Sequence, residues 1–176
     1  MRLNKLFAYH AMKTISIFVF MLFSFFSKAQ FVQSKSYNAM LKTLLTHNVK
    51  EIGAKDAIQD SNAVFLDARE KKEFEVSHIK NAIWVGYDDF DISRLKGIPK
   101  SKRIIVYCSV GYRSEKITEK LTQNGYTHVS NVVGGIFEWV NLGYPLVDNN
   151  GKPTEKVHAY SKTWGIWLNK GEKVYN

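Results

Sequence analysis

The feature that most constrains this chain is a run of β-branched and aromatic residues that ends at its single cysteine. The run Arg103–Tyr107 is too apolar for a surface strand, so it predicts a strand buried on both faces. A glycine-containing loop follows Cys108, and the stretch Ser114–Gln123 then places Ile117 and Leu121 on one helical face. Strand, loop and helix in this order are typical of parallel α/β sheets. Cys108 is therefore predicted at the carboxyl end of a strand, where such sheets bind ligands.

Strand-like and helix-like stretches alternate along the rest of the chain. Further apolar runs predict strands at Ala63–Leu66, Ile83–Val85 and Val129–Val133. Helical patterns occur at Tyr37–Thr46, Ala54–Gln59, Glu70–Val76 and Asp89–Leu95. In the helix after the cysteine, Glu115 is expected on the solvent face beside Lys116. The pattern predicts an α/β fold with a mainly parallel central sheet flanked by helices on both faces.

The N-terminus has the pattern of a secretory signal peptide. Thr14–Phe26 is an apolar, uncharged run of 13 residues that follows Lys13 and precedes the small-residue site Ser27-Lys28-Ala29. As a helix it would span about 20 Å, short of the roughly 30 Å core of a bilayer. We expect residues 1–29 to be removed, leaving no stable membrane anchor and an exported protein, periplasmic or secreted. An uncleaved anchor and a start at Met12 are the alternatives.

The charge of the remaining chain argues against nucleic-acid binding. The whole sequence carries +9, but its first 29 residues hold four basic residues and no acid, so the rest carries about +5. Residues 30–147 contain no repeat or low-complexity linker and are expected to form one domain. Residues 148–176 form an aromatic C-terminal extension with Val157, Tyr160 and Trp164 at helical intervals. This extension is expected to pack on the domain, or else to form a partner or membrane-surface patch.

The loop after Cys108 has the composition of an anion-binding cradle. Gly111 permits backbone angles closed to other residues, and a helix beginning near Arg113 adds its positive end. Successive N–H groups can then point inward, first at the Cys108 thiolate and then at a substrate bound over it. A buried, inert cysteine is the alternative. No second cysteine is available for a disulfide, and no histidine has a ligand-like spacing, so neither a metal nor a cofactor is expected.

Four blocks of sequence resemble the rhodanese-like domain family of sulfurtransferases. They are Leu66–Glu70 with Glu73-Phe74, Ser77–Ile83, Cys108–Ser114, and Gly134–Trp139 with Gly143-Tyr144-Pro145. These blocks are similar to the family patterns L-D-x-R-E…E-F, G-H-I-P-G-A-I, C-x-x-G-x-R-S and G-G-x-x-x-W…G-Y-P, and they cover about residues 50–147 in the family's order. Ser77, Lys80 and Asn81 depart from the family's Gly, Pro and Gly, which affects a turn and no chemical group.

The resemblance implies an exported sulfurtransferase with Cys108 as the catalytic nucleophile. Cys108 would take sulfur from a small anionic donor such as thiosulfate or polysulfide, or from a protein persulfide, and pass it to a thiol or cyanide. The loop residues expected to bind substrate are Ser109, Val110, Gly111, Tyr112, Arg113 and Ser114, with Arg113 both ordering the loop and attracting anions. Because Ser109 and Val110 are neutral, thiosulfate is not favoured over other donors. Asp67, Arg69 and His78 are expected to support the structure rather than to catalyse.

Two other interpretations are oxyanion chemistry in a similar cradle and a non-catalytic module on the same fold. Phosphatases and arsenate reductases have a C-x5-R loop, but only four residues separate Cys108 from Arg113, and Tyr107 stands where the phosphatase pattern has histidine. A non-catalytic binding module is the second, against which the presence of Cys108, Gly111 and Arg113 argues. Gly134-Gly135 lacks the rest of a dinucleotide-binding G-x-G-x-x-G and is expected only to form a tight turn.

Overall fold

A computed structural model describes residues 30–175, whose centre is a five-stranded parallel sheet. The elements in chain order are α1 (Lys35–Leu44), β1 (Glu51–Gly53), α2 (Ala54–Ala57), β2 (Val64–Asp67), α3 (Lys71–Val76), β3 (Ile83–Trp84), a 3₁₀ turn (Ile92–Leu95), β4 (Ile104–Tyr107), α4 (Tyr112–Gln123), β5 (Val129–Val133), α5 (Gly135–Asn141), β6 (Leu146–Val147), β7 (Pro153–Thr154), β8 (Lys156–His158), α6 (Lys162–Gly165) and β9 (Glu172–Val174). The predicted signal peptide, residues 1–29, lies outside the described residues and stays a prediction. Within residues 30–175, no helix has the length and apolar character needed to cross a bilayer.

The sheet has the strand order β1-β5-β4-β2-β3, which places β4 in the middle. All four residues of β4 are buried. Because successive side chains of a strand point to opposite faces, Ile104 and Val106 pack with α4, while Ile105 and Tyr107 pack with α1, α2 and α5. The predicted α/β fold, with a parallel sheet flanked by helices, is confirmed. Cys108 follows β4 at the carboxyl edge of this central strand.

Several boundaries and one helix face differ from the sequence prediction. The strand Glu51–Gly53 and the helix Gly135–Asn141 were not predicted, and the helix predicted over Ala54–Gln59 ends at Ala57. Glu115, predicted on the solvent face, is fully buried. Its carboxylate accepts hydrogen bonds from the backbone N–H groups of Thr46 (3.1 Å) and His47 (2.9 Å), which compensate for its burial.

The C-terminal extension is mainly extended rather than helical. It contains β7, β8 and β9, and its helix α6 has only four residues. β8 pairs in parallel with β9, and the side chains of Val157, Ala159 and Leu168 are buried in the same core cluster as α1 and α5. Asn141 at the end of α5 donates to the carbonyl of Trp167 at 2.9 Å. The apolar spacing that predicted a helix thus comes from residues that reach the core from strands and turns.

Candidate active site

The Cys108 side chain lies in a loop between β4 and α4 and is 1% exposed. Gly111 has φ +120°, in the region that disfavours residues with a Cβ, and it precedes the first turn of α4. In this conformation the Gly111 N–H donates to the Cys108 Sγ at 3.1 Å. The loop thus directs a backbone donor at the sulfur, at the positive end of a twelve-residue helix.

The carbonyl groups of the cysteine loop are directed away from the sulfur and held by the start of α5. Ile136 N donates to Cys108 O at 2.8 Å, Phe137 N donates to Ser109 O at 3.1 Å, and Gly134 N donates to Val110 O at 3.0 Å. Two left-handed residues, Gly134 (φ +85°) and Gly135 (φ +53°), bring the α5 backbone this close. The expectation that these glycines only form a tight turn was therefore incomplete, because they also fix the active loop.

A Cβ on Gly135 would lie 2.6 Å from Ser109 O and would also overlap Cys108 O. Contacts this short to backbone atoms require the backbone to move. The cysteine loop therefore requires a glycine at position 135 as well as at position 111. The sequence signal was present in the Gly134–Trp139 block, but its link to Cys108 needs the tertiary structure.

The guanidinium group of Arg113 is held by Glu73 of α3. Arg113 Nη1 donates to Glu73 Oε2 at 2.6 Å, and Nη2 donates to Glu73 Oε1 at 2.9 Å. Ser109 Oγ joins them, donating to Glu73 Oε1 at 3.1 Å and accepting from Arg113 Nη2 at 3.0 Å. This bidentate pair fixes one side of the cysteine loop. It fits the predicted loop-ordering role of Arg113, whereas the guanidinium face predicted to attract anions is occupied by a carboxylate.

The opposite charges of Glu73 and Arg113 outweigh the effect of burial on the pKa of each group. Burial acts to raise the pKa of Glu73, but the hydrogen bonds and charge of Arg113, together with the charge of Arg69, outweigh it and lower that pKa. Burial acts to lower the pKa of Arg113, yet its hydrogen bonds to Glu73 and the neighbouring Cys108 and Glu73 charges raise it. Both groups are therefore charged at neutral pH. Glu73 was quoted in a sequence block without a role, and its full burial in α3 is what reveals the role.

Ser114 supports the loop from the side opposite the cavity. It is fully buried, and its hydroxyl donates to Asn131 Oδ1 at 2.7 Å. Asn131 Nδ2 in turn donates to Gly111 O at 3.0 Å, so β5 fixes the residue whose amide contacts Cys108. Ser114 and Gly111 do not line the cavity described next, unlike the other four loop residues predicted to bind substrate.

A cavity of about 740 Å³ opens over Cys108. Its lining includes the cysteine loop, Glu70 and Glu73 of the α3 region, and three residues of the C-terminal extension, which are His158, Tyr160 and Trp164. His158 is buried, with Nδ1 3.9 Å from Glu73 Oε1 and accepting the Tyr160 N–H at 3.2 Å. The sequence patterns gave no sign that the extension reaches the cysteine, because the juxtaposition depends on how β8 packs against α3.

The residues predicted to be structural lie outside this cavity. Asp67 and Arg69 are fully buried, and their ion pair is 2.6 Å long. Arg69 Nη2 also donates to Ser77 O at 2.7 Å, which connects the end of β2 to the end of α3. His78 stacks on Phe74 with ring centroids 3.9 Å apart. In the described part of the chain, no group of three or more His, Cys, Asp or Glu side chains could hold a metal ion.

Comparison with known proteins identifies the family of this fold. A family model described as "Rhodanese-like domain" matches residues 53–142, half of the chain, including the cysteine loop and the double glycine. The chain belongs to the rhodanese-like domain family. The structure of the BH2092 protein from Bacillus halodurans has the same fold, with a TM-score of 0.53 and 23% identity over 66% of this chain and 87% of that one.

Curated relatives of this rhodanese-like protein are longer enzymes. The protein named tRNA uridine(34) hydroxylase of Hamiltonella defensa is 39% identical over 137 residues, covering 74% of this chain and 35% of that protein. The protein of the same name from Cronobacter sakazakii is 36% identical over 87 residues, covering 47% of this chain and 25% of that protein. The chain therefore spans only about a quarter to a third of the relatives it matches.

These names correct the predicted function and partners. The sequence predicted an exported enzyme that passes sulfur from a small anionic donor to a thiol or cyanide acceptor and has no nucleic-acid partner. The curated relatives are instead named as enzymes acting on tRNA. The small-molecule donor and acceptor and the exclusion of nucleic acid are therefore wrong predictions, while the predicted export stays a prediction. The rhodanese-like domain does support the coarser prediction, an enzyme of this superfamily.

Proposed function

We propose that this chain is a cysteine-dependent enzyme of the rhodanese type, with Cys108 as nucleophile and sulfur transfer as its reaction class. The proposal concerns the enzyme class alone, and the predicted export and small-molecule acceptors are not part of it. The observation that carries it is the 3.1 Å hydrogen bond from Gly111 N to Cys108 Sγ. A donor aimed at sulfur stabilises the nucleophilic thiolate, which an inert buried cysteine does not require.

The proposed step leaves one outer sulfur atom on Cys108. In the proposed step the thiolate forms a bond to a sulfur atom of the donor, while the bond from that sulfur to the leaving group breaks and the electron pair departs with the leaving group. Loop carbonyls would repel the outer sulfur of the resulting persulfide. Those of Cys108, Ser109 and Val110 are instead directed to the N–H groups of the α5 region.

The phosphatase alternative is disfavoured by the position of Arg113. Phosphoryl groups are bound through paired N–H donors of arginine. Here both terminal nitrogens of Arg113 donate to Glu73. Breaking this pair to bind a phosphate would leave a fully buried carboxylate unpaired, at a cost of several kcal/mol.

Mass spectrometry tests the proposed reaction class. The folded protein is incubated with sodium thiosulfate, used as a probe of sulfane sulfur transfer, and is then digested. We expect the Cys108 peptide to gain the mass of one sulfur atom and to lose it on treatment with dithiothreitol. Cys108→Ser is the matched control and should show no gain. An unmodified Cys108 peptide with thiosulfate and with polysulfide alike would contradict sulfur transfer.

A role on tRNA is the second candidate, favoured by the names of the curated relatives. Nucleoside mass spectrometry of tRNA incubated with the protein tests it. Modified uridine that depends on Cys108 would support the role. Unchanged uridine at position 34 in the presence of active protein would count against it.

A further inference from the structure

The walls of the cavity above Cys108 include four tyrosine and tryptophan side chains. Tyr87, Tyr112, Tyr160 and Trp164 all line it. Tyr112 and Tyr160 are 41% and 51% exposed, so part of each side chain is accessible to a ligand, while the Arg113 guanidinium lies over the Tyr160 ring. The volume of about 740 Å³ falls within the roughly 300–1,000 Å³ of cavities that hold drug-sized molecules, which is far more than a small oxyanion fills.

The charges around the cavity do not favour an anion. Glu70, Glu73 and Asp88 line it against Lys72 and Arg113, and Arg113 is paired with Glu73. Among the remaining charged residues of the lining, Lys72 is outnumbered by Glu70 and Asp88. Partial burial raises the pKa of Glu70, and the charges of Asp88 and Glu73 add to that rise, as expected where acidic groups are concentrated.

Two of the aromatic residues belong to the C-terminal extension, beyond residues 53–142 that match the family model. Tyr160 has φ +63° and follows the buried strand β8, which fixes its position beside the Arg113 guanidinium, 5.1 Å from its ring centroid. Trp164 lies in α6, whose start is capped by the Ser161 hydroxyl. The extension therefore places two aromatic side chains in the lining of the cavity that contains Cys108.

From these observations we infer that the cavity selects an uncharged molecule carrying a planar aromatic ring, in preference to a small oxyanion. The inference rests on the proposed function in one respect, the use of Cys108 as nucleophile. The ring of the ligand contacts the aromatic residues that line the cavity, Tyr112 and Tyr160 among them, and its reacting atom reaches Cys108 in the same cavity. Tyr160 and Tyr112 are thus residues that determine specificity, whereas the cysteine loop supplies the reaction.

Alkylation of Cys108 by matched reagents tests this inference. Iodoacetamide, N-benzyl iodoacetamide and iodoacetate all react by one step, in which the thiolate forms an S–C bond and iodide departs with the electron pair. Second-order rate constants are measured on the folded protein and on N-acetylcysteinamide, an uncharged free thiol. Dividing each rate constant by that of iodoacetamide removes differences in thiolate content.

The N-benzyl ratio is the rate constant of N-benzyl iodoacetamide divided by that of iodoacetamide. We expect this ratio to be about three- to tenfold higher for the protein than for the free thiol, which is the effect of one or two aromatic contacts. The iodoacetate ratio should fall below that of the free thiol. Tyr160→Asn, which suits the left-handed backbone, and Tyr112→Ser should each lower the N-benzyl ratio. Ile166→Ser is the matched control, since Ile166 is 61% exposed in the same segment and does not line the cavity.

The outcomes separate the inference from the proposed function. Failure of iodoacetamide to alkylate Cys108 in the folded protein would contradict the role of Cys108 as nucleophile. If Cys108 is alkylated but its rate-constant ratios equal those of the free thiol, the aromatic site is overturned and the assignment of Cys108 as nucleophile is not. The aromatic site is also overturned by an iodoacetate ratio above that of the free thiol, or by a raised N-benzyl ratio that both tyrosine variants leave unchanged.

Discussion

Replacing Gly135 with alanine should damage the cysteine loop from a residue 27 positions away in sequence. The added Cβ would lie 2.6 Å from the carbonyl oxygen of Ser109, and both groups belong to backbone that cannot rotate away. Overpacking of this kind costs about 1–3 kcal/mol. The left-handed backbone of Gly135 adds about 1–2 kcal/mol for a residue with a Cβ. We expect the Gly135→Ala protein to lose about 2–5 kcal/mol of unfolding free energy.

Gly143→Ala separates the two contributions. Gly143 also has a left-handed backbone, with φ +82°, but a Cβ there would meet no atom within 4 Å. Its substitution should cost only the conformational part, about 1–2 kcal/mol. The excess loss in Gly135→Ala over this control then measures the steric effect on the loop.

Urea denaturation gives the free energy of unfolding of each variant. The rate of Cys108 alkylation by iodoacetamide at a single pH shows whether the cysteine loop has changed. Because displacement of the α5 start moves the carbonyls it holds, Gly111 N should move from Cys108 Sγ, and alkylation should slow in Gly135→Ala only. If the two variants are equally stable and their Cys108 reacts equally fast, the double glycine does not fix the loop and the reasoning is wrong.

Three further substitutions test the buried charges and the nucleophile. Glu73→Gln should cost about 3–5 kcal/mol in urea denaturation, because Arg113 loses its buried ionic partner and keeps only the more distant Glu70 carboxylate at 3.7 Å. Folding lowers the pKa of Glu73, so its contribution to the free energy of unfolding is present above the unfolded-state pKa near 4.3 and is lost as the pH falls. An unchanged acid-unfolding curve in the Glu73→Gln protein would refute this contribution. Asp67→Asn should cost about 3–5 kcal/mol by leaving Arg69 buried and unpaired, whereas Glu75→Gln, which breaks an exposed pair, should change thermal stability little. Cys108→Ser should fold normally and lose all alkylation, and residual labelling would place the reactive group elsewhere.

The central sheet was predictable because its strands are short apolar runs with few alternatives. Arg103–Tyr107 predicted β4 almost to the residue, and Val129–Val133 predicted β5. Glu51–Gly53 was missed because a three-residue strand with one large apolar side chain has no periodicity to detect. The pairing of this strand with β5 comes from tertiary contacts rather than from its own sequence.

The candidate site was only partly predictable. The residue types and spacing of Cys108 and Gly111 were sufficient to predict a loop with a backbone donor directed at the sulfur. Glu115 was placed on the wrong face because helical periodicity cannot indicate that a carboxylate will find the backbone N–H groups of Thr46 and His47. The tail was interpreted as a helix for a related reason, since residues such as Val157 reach the core from a strand.

The C-terminal extension, which supplies Tyr160 and Trp164 to the cavity, affects how this protein can diversify. The cysteine loop lies within the residues that match the family model, while Tyr160 and Trp164 lie on a segment anchored separately, through the β8–β9 pairing and the Asn141–Trp167 hydrogen bond. Substitutions on that segment can change the lining of the cavity without altering the cysteine loop. The shape of the cavity and the geometry of the loop are therefore free to evolve at different rates.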